Sequence, residues 1–299
     1  MKARPFEFYR PTKLDEAVQL LSEMDDGAKL LAGGQSLLPL MAFRLARPTA
    51  LIDITRIPDL DGIEVEENSL RIGALATHRK VELFQRLPIE FAAIHMGMKM
   101  LGHIAIRNRG TVGGSLAHCD PHAEWPALLM ALDGSVDVVG VNGYRQISGT
   151  DFAEGWFTST LSSDELIKTV KFPRNRNQEV QTFSSLREYS LRHGDFAIAG
   201  AVVSLSFLEG VVIKSNCVMF GPGSKAVKLF ELEKFLSGLR LTQTELAEVK
   251  SLVASLLRNS EIYEHGSEMA PYLCAHLIPN LFADAISDVH AELLMMEER

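Results

Sequence analysis

Two short segments constrain this chain more than any other feature. Leu30-Leu31-Ala32-Gly33-Gly34-Gln35-Ser36 and Thr111-Val112-Gly113-Gly114-Ser115 each join an apolar residue or run to a Gly-Gly pair and then to polar or hydroxyl groups. A Gly-Gly pair lets backbone N–H groups come close to a ligand, because no Cβ stands in the way. Successive N–H groups in such a turn make an anion-binding nest, and the flanking hydroxyls add donors. A single TVGGS reads better as a tight turn between two strands. Two such turns, about eighty residues apart, raise a second reading, in which they hold two parts of one phosphate-bearing ligand. The chain has neither a G-x-G-x-x-G between strand and helix nor a loop ending in Gly-Lys-Ser/Thr. A nucleotide here would therefore be bound by some other device.

The bulk properties narrow the class. With 299 residues, 46% of them apolar, the chain can build a sizeable core and two domains. A formal net charge of −8 argues against a nucleic-acid binder, whose footprint is a basic stripe. The apolar runs are broken well short of the roughly 20 residues a membrane helix needs. The start, MKARPFEFYRPTKLDEA, has no apolar core of a secretory signal. Cys119, Cys217 and Cys274 are few and far apart, which fits free thiols in a reducing, cytoplasmic setting. Three cysteines are too few to hold an iron–sulfur cluster within this chain. His118, Cys119, Asp120 and His122 match no standard zinc spacing, and no metal is expected there.

Read in order, the pattern predicts a strand at Phe6–Tyr9 and a helix over about 13–24, capped by Thr12. A buried strand at Lys29–Ala32, a helix at Leu37–Phe43 and a strand at Ala50–Ile54 follow. This is an α/β unit over about 1–57. A hairpin at Ile63–Val65 and Leu70–Gly73, a helix capped by Thr77, a helix over Phe91–Leu101, a buried helix at Ala127–Ala131 and a hairpin at Ser135–Ile147 lead to a strand ending at Pro173. The polar run Arg174–Glu179 is the expected boundary, dividing the chain into 1–176 and 177–299. Beyond it come strands at Gln181–Leu186, Ala197–Phe207 and Val211–Phe220. Helices follow at about 228–237 and 242–257, with a long one from Pro271 to Met296. Strands followed by helices imply an α+β layer.

KLLAGGQS at 29–36, RNRGTVGGSLAHCDPHAEWP at 107–126 and SLRHGDFAIA at 190–199 together resemble the FAD-binding medium subunit of molybdenum hydroxylases, the carbon monoxide dehydrogenase and xanthine dehydrogenase group. The resemblance covers most of the chain. It implies an α+β chain with the vanillyl-alcohol-oxidase or PCMH-type FAD-binding fold: two α/β subdomains (about 1–57 and 58–176) plus a C-terminal α+β domain. It implies that Lys29, Leu30, Leu31, Ala32, Gly33, Gly34, Gln35 and Ser36 form one cofactor turn. Thr111, Val112, Gly113, Gly114 and Ser115 form the other, and both hold the FAD pyrophosphate through backbone N–H groups. By the same resemblance Leu101 and Leu161 lie beside the flavin ring and Glu124 stands where relatives bind the ribityl chain. Arg187 matches a lysine close to the cofactor. Tyr263–Met269 stands where relatives carry a more basic segment.

The function so implied is electron transfer. FAD in this chain takes electrons from two 2Fe–2S clusters of a small partner subunit and passes them to an external acceptor. A large partner subunit holds the molybdopterin cofactor and oxidises the substrate. The family's assembly is a heterotrimer, often doubled as (αβγ)2, and no residue here need act as an acid or base on the substrate. A self-sufficient FAD-dependent oxidase or reductase of the same fold is the alternative; it would need its own acid, base or covalent flavin link. A scaffold that has lost FAD is a third reading, and the intact Gly-Gly pairs weigh against it.

Overall fold

The computed structural model describes residues 2–24, 27–258 and 272–297. Its N-terminal unit is a parallel sheet ordered Glu7–Tyr9, Ala50–Asp53, Ala28–Leu31. Helix Leu14–Glu23 packs on it because Ala17, Val18 and Leu21 recur on one face and are buried with Ala28, Ala50 and Ile52. Lys13, not Thr12, is the residue preceding this helix, and no side chain caps it. The Thr12 amide donates instead to Glu16 at 3.3 Å. The central strand Ala50–Asp53 is wholly buried. The buried strand expected at Lys29–Ala32 forms at Ala28–Leu31. It is an edge strand, with Lys29 exposed and Leu30 and Leu31 half-buried, because among the described residues nothing pairs with its outer side. Its carboxyl end runs into Gly33-Gly34, where Gly34 has φ +72°, a conformation glycine tolerates and most side chains do not.

The second unit is an antiparallel sheet ordered Ile63–Val65, Ser69–Gly73, Leu166–Pro173, Ser135–Gly140, Gly143–Ser148. Strand alternation puts Leu70, Ile72, Val136, Val138, Val170 and Phe172 on one face. These residues share a core with helices Ala92–Met100, Val112–His118 and Glu124–Ala131. All eight residues of Glu124–Ala131 are buried.

A four-stranded antiparallel sheet follows, ordered Val180–Tyr189, Ala199–Leu208, Val211–Phe220, Val227–Lys228. Both of its faces are covered. Leu186, Val202, Val218 and Phe220 belong to the core of the second unit. Phe183, Val203, Leu205 and Met219 face helices Phe230–Leu236, Gln243–Arg258 and Ile278–Glu297. Each such buried side chain contributes about 1.5–3 kcal/mol of transfer free energy, so the first set welds the sheet to the second unit. Ser184 strengthens that junction. Its hydroxyl donates to the Glu90 carbonyl at 2.8 Å and accepts the Ala93 N–H at 3.1 Å. Arg174, in the polar run between the sheets, pairs with Glu90 at 2.7 Å and donates to the Glu66 carbonyl. The last helix is entered through a π-helical turn, Leu273–Leu277. Pro271 and Tyr263–Met269 lie outside the described residues.

Candidate functional site

The two Gly-Gly segments meet. A Cβ on Gly33 would lie 2.1 Å from the Arg109 carbonyl oxygen and 2.9 Å from the Gly110 Cα, so only glycine permits this backbone contact. A Cβ on Gly114 would lie 3.9 Å from the Ala32 Cβ. The carboxyl end of the parallel edge strand thus abuts the loop that leads into Val112–His118. Ligands of open α/β sheets collect at such strand ends.

Gly113-Gly114 does not form a turn between strands. Both residues lie in the first turn of helix Val112–His118, and the Thr111 hydroxyl caps it by accepting the Gly114 N–H at 3.1 Å. Gly113 is needed for packing: a Cβ there would lie 2.6 Å from the Ala74 Cβ. The amides of this segment already have partners. Val112 donates to Ala76, Gly113 to Ala74 and Ser115 to Thr111, at 3.0, 2.8 and 2.9 Å. Among the described residues, by contrast, the amides of Gly33, Gly34, Gln35 and Ser36 donate to nothing. The open donors therefore sit on the first segment. The second supplies close approach, two hydroxyls and a helix end.

Arg107 and His78 support this junction. Arg107 is buried, and its guanidinium donates to the carbonyls of Leu101 and Gly102 at 3.2 and 2.7 Å while pairing with Glu82 at 3.0 Å. It thereby fixes Leu101 at the end of helix Ala92–Met100. His78 accepts the Trp125 indole N–H at 3.1 Å on Nδ1, and its own amide donates to Gly110 at 3.0 Å. Burial, followed by the Arg107 charge, pushes the His78 pKa down to about 4, so the ring is neutral. In sequence, Arg107 was visible only as a charge beside the glycines.

Glu124 opens helix Glu124–Ala131 and is 7% exposed. Burial, then the charge of Glu188, raises its pKa well above the ordinary carboxylate range. Leu161 packs, half-buried, on the main core just past hairpin Ala153–Ser159. That hairpin stacks on the region after the glycines: Phe157 lies 5.1 Å from the His118 ring and Trp156 6.1 Å from His122. The His122 Nδ1 contacts the Ala197 carbonyl at 2.8 Å, and Asp120 accepts the His122 amide. The CDPH stretch therefore ties the second unit to the loop before strand Ala199–Leu208.

Arg187 is not brought to the junction. It lies on the other face of the C-terminal sheet, paired with Asp288 of the last helix at 2.5 and 2.7 Å beside Ser185, which donates to the same carboxylate. Strand alternation is the reason. Leu186 points into the core of the second unit, so its neighbours Ser185 and Arg187 point away from it. Lys29 is exposed on the edge strand.

Residues 4–175 match the model of the FAD binding domain in molybdopterin dehydrogenase. The chain is 36% identical to the 6-hydroxypseudooxynicotine dehydrogenase complex subunit alpha of Paenarthrobacter nicotinovorans, over 83% of each chain. It is 34% identical to that organism's nicotine 6-hydroxylase medium subunit, over 89% of this chain and 94% of the relative. Carbon monoxide dehydrogenase from Hydrogenophaga pseudoflava superposes with a TM-score of 0.88 at 28% identity, covering 97% of this chain and 99% of that one. Quinoline 2-oxidoreductase from Pseudomonas putida 86 gives 0.87 at 28%, covering 98% and 99%. The fold is the PCMH-type flavoprotein fold. The chain belongs to the family of molybdopterin dehydrogenase FAD-binding domains.

Proposed function

We infer that this chain is the FAD-carrying electron-transfer subunit of a molybdopterin-dependent hydroxylase or dehydrogenase. When bound, FAD takes electrons from 2Fe–2S clusters of a small partner subunit and delivers them to an external acceptor. A large molybdopterin-binding subunit oxidises the substrate, and the assembly is a heterotrimer, doubled as (αβγ)2. Relatives named as a complex subunit and a medium subunit, matched over 83% and 94% of their length, support this reading over a self-sufficient flavoenzyme. We assign residues 1–176 to FAD binding and 177–299 to the C-terminal domain, and place the protein in the cytoplasm. Cys119 and Cys217, both free and buried, fit that setting.

The observation that carries the proposal is the junction of the two Gly-Gly segments, with unpaired amides on one side and hydroxyls on the other. The amides of Gly33, Gly34, Gln35 and Ser36 would meet the pyrophosphate. Thr111 and Ser115 would add hydroxyls, and the positive end of helix Val112–His118 would favour the negative charge. Ala32 and Gly114 would let the ligand approach both backbones, Glu124 would accept ribityl hydroxyls, and Leu101 and Leu161 would flank the ring. The test is reconstitution of the purified chain with FAD, followed by visible absorption after removal of free flavin. Retained flavin that bleaches on reduction is the expected result. A chain that retains none would overturn the assignment.

A further inference from the structure

We propose that Glu188 is a further cofactor-binding residue: half-buried beside the buried Glu124, it offers an open hydrogen-bonding position that the ribityl hydroxyls of FAD complete. The inference rests on the FAD reading above. Glu188 lies in strand Val180–Tyr189, opposite Gly200. Its alternate neighbours Ser184 and Leu186 face the second unit, where Ser184 holds the start of helix Ala92–Met100. Glu188 therefore points the same way, opposite to Arg187. Gly200 has no side chain to cover it, and the Phe220 ring occupies that space: a Cβ on Gly200 would lie 2.1 Å from it. Phe220 and Leu186 are apolar and buried, so they shield this side of the sheet from water.

One oxygen of the pair lacks a partner. The Glu188 Oε2 is buried and has no hydrogen-bond partner among the described residues. The only hydrogen bond to the Glu124 side chain among them comes from its own amide. Among the described residues, the charges that act on Glu124 are those of Glu188 and Asp120, both negative. Burial alone pushes the Glu188 pKa up to about 7, and Glu124 is raised as well. Such an arrangement is unfavourable in an empty protein and is found where a ligand supplies what is missing. A carboxyl pair that shares one proton offers one O–H donor and several acceptors, and hydroxyl groups match both roles. Helix Ala92–Met100 connects the pair to the rest of the site. A Cβ on Gly97 would lie 3.7 Å from the Glu124 Cβ and 3.3 Å from the Leu186 Cδ1, and the helix ends at Leu101.

The test uses the whole purified chain stripped of flavin. FAD affinity is read by fluorescence titration and folding by thermal melting without FAD. Glu188→Ala should weaken FAD binding by about tenfold or more, since hydrogen bonds to a ligand are lost. Glu188→Gln keeps one donor and one acceptor and should bind within about threefold of wild type. It should also melt at or above the wild-type temperature without FAD, because it no longer buries an unpartnered carboxyl. A merely structural role would instead lower that melting temperature. Wild-type affinity in Glu188→Ala, or a Glu188→Gln chain that is destabilised without FAD, would overturn the assignment alone. A wild-type chain that takes up no FAD would overturn the FAD reading and this assignment with it.

Discussion

Gly114→Val separates cofactor binding from folding. The new Cβ would lie 2.8 Å from the Thr111 Oγ1, so the capping hydroxyl must rotate away from the residue 114 amide. Loss of an N-cap costs about 1 kcal/mol. Replacing glycine inside a helix returns a few tenths of that. The net cost of under about 1 kcal/mol is small beside the roughly 5–15 kcal/mol that holds a domain together, and it should lower the melting temperature by only a few degrees. The ligand side differs. A Cβ at position 114 would already lie 3.9 Å from the Ala32 Cβ, so the valine methyls crowd the approach to the open amides of Gly33–Ser36. If two hydrogen bonds to a charged pyrophosphate are lost at about 1.5–3 kcal/mol each, FAD affinity falls by roughly 10²–10⁴-fold. Fluorescence titration with FAD, beside a thermal melt of the flavin-free chain, reads both quantities. Gly113→Ala is the control. Its Cβ would strike Ala74 in the core at 2.6 Å, so it should lose the fold and the flavin together. A folded Gly114→Val chain with wild-type FAD affinity would refute the reasoning.

Three further outcomes follow from the geometry. Arg187→Ala removes an ion pair whose arginine side chain is 45% exposed; stability should fall by under about 1 kcal/mol, and FAD uptake should be unchanged. Reduced uptake in that variant would contradict the placement of Arg187 on the far face. Arg107→Met leaves the carbonyls of Leu101 and Gly102 without their donor, while Glu82 keeps Arg79 at 2.8 Å. It should destabilise the chain by about 1–3 kcal/mol, while Arg107→Lys recovers part of this in a denaturant titration. His78 is neutral in the fold because its pKa is pushed from 6.5 to about 4. The unfolded chain binds a proton first as pH falls, so stability is full above about 6.5 and declines toward about 4. The size of that decline is about 3 kcal/mol. His78→Asn should flatten that part of the melting profile, and an unchanged slope would show that His78 is not its source.

Much of this organisation is legible in the sequence. The strands around Asn68-Ser69 and Gly143, the Thr77 cap and the helix over Ala92–Met100 follow from alternation, turn residues and helical spacing. The spacing of the Gly-Gly pairs marks the site. Gly113-Gly114 reads as a turn because glycine is a poor helix former; packing against Ala74 overrides that preference, which no local pattern reveals. FSSLREY is ambiguous because both faces of its strand are buried, so apolarity does not say which face meets the FAD-binding unit. Leu186 and Phe183 settle it only once the two cores are seen. Arg187 enters the expected site only through the resemblance, and Glu188 carries no local pattern that marks it. Arg107 and His78 act through backbone carbonyls and an indole brought together by tertiary contacts, and neither has a signature in the chain.

The cofactor content of the assembly that co-purifies with the tagged chain from its native host tests the central claim most directly. FAD, iron and molybdenum should be present together, with a large and a small partner chain, and Gly114→Val should remove the FAD while iron and molybdenum stay. A chain that purifies alone with flavin and turns over a substrate, or an assembly that keeps its FAD in that variant, would contradict the account.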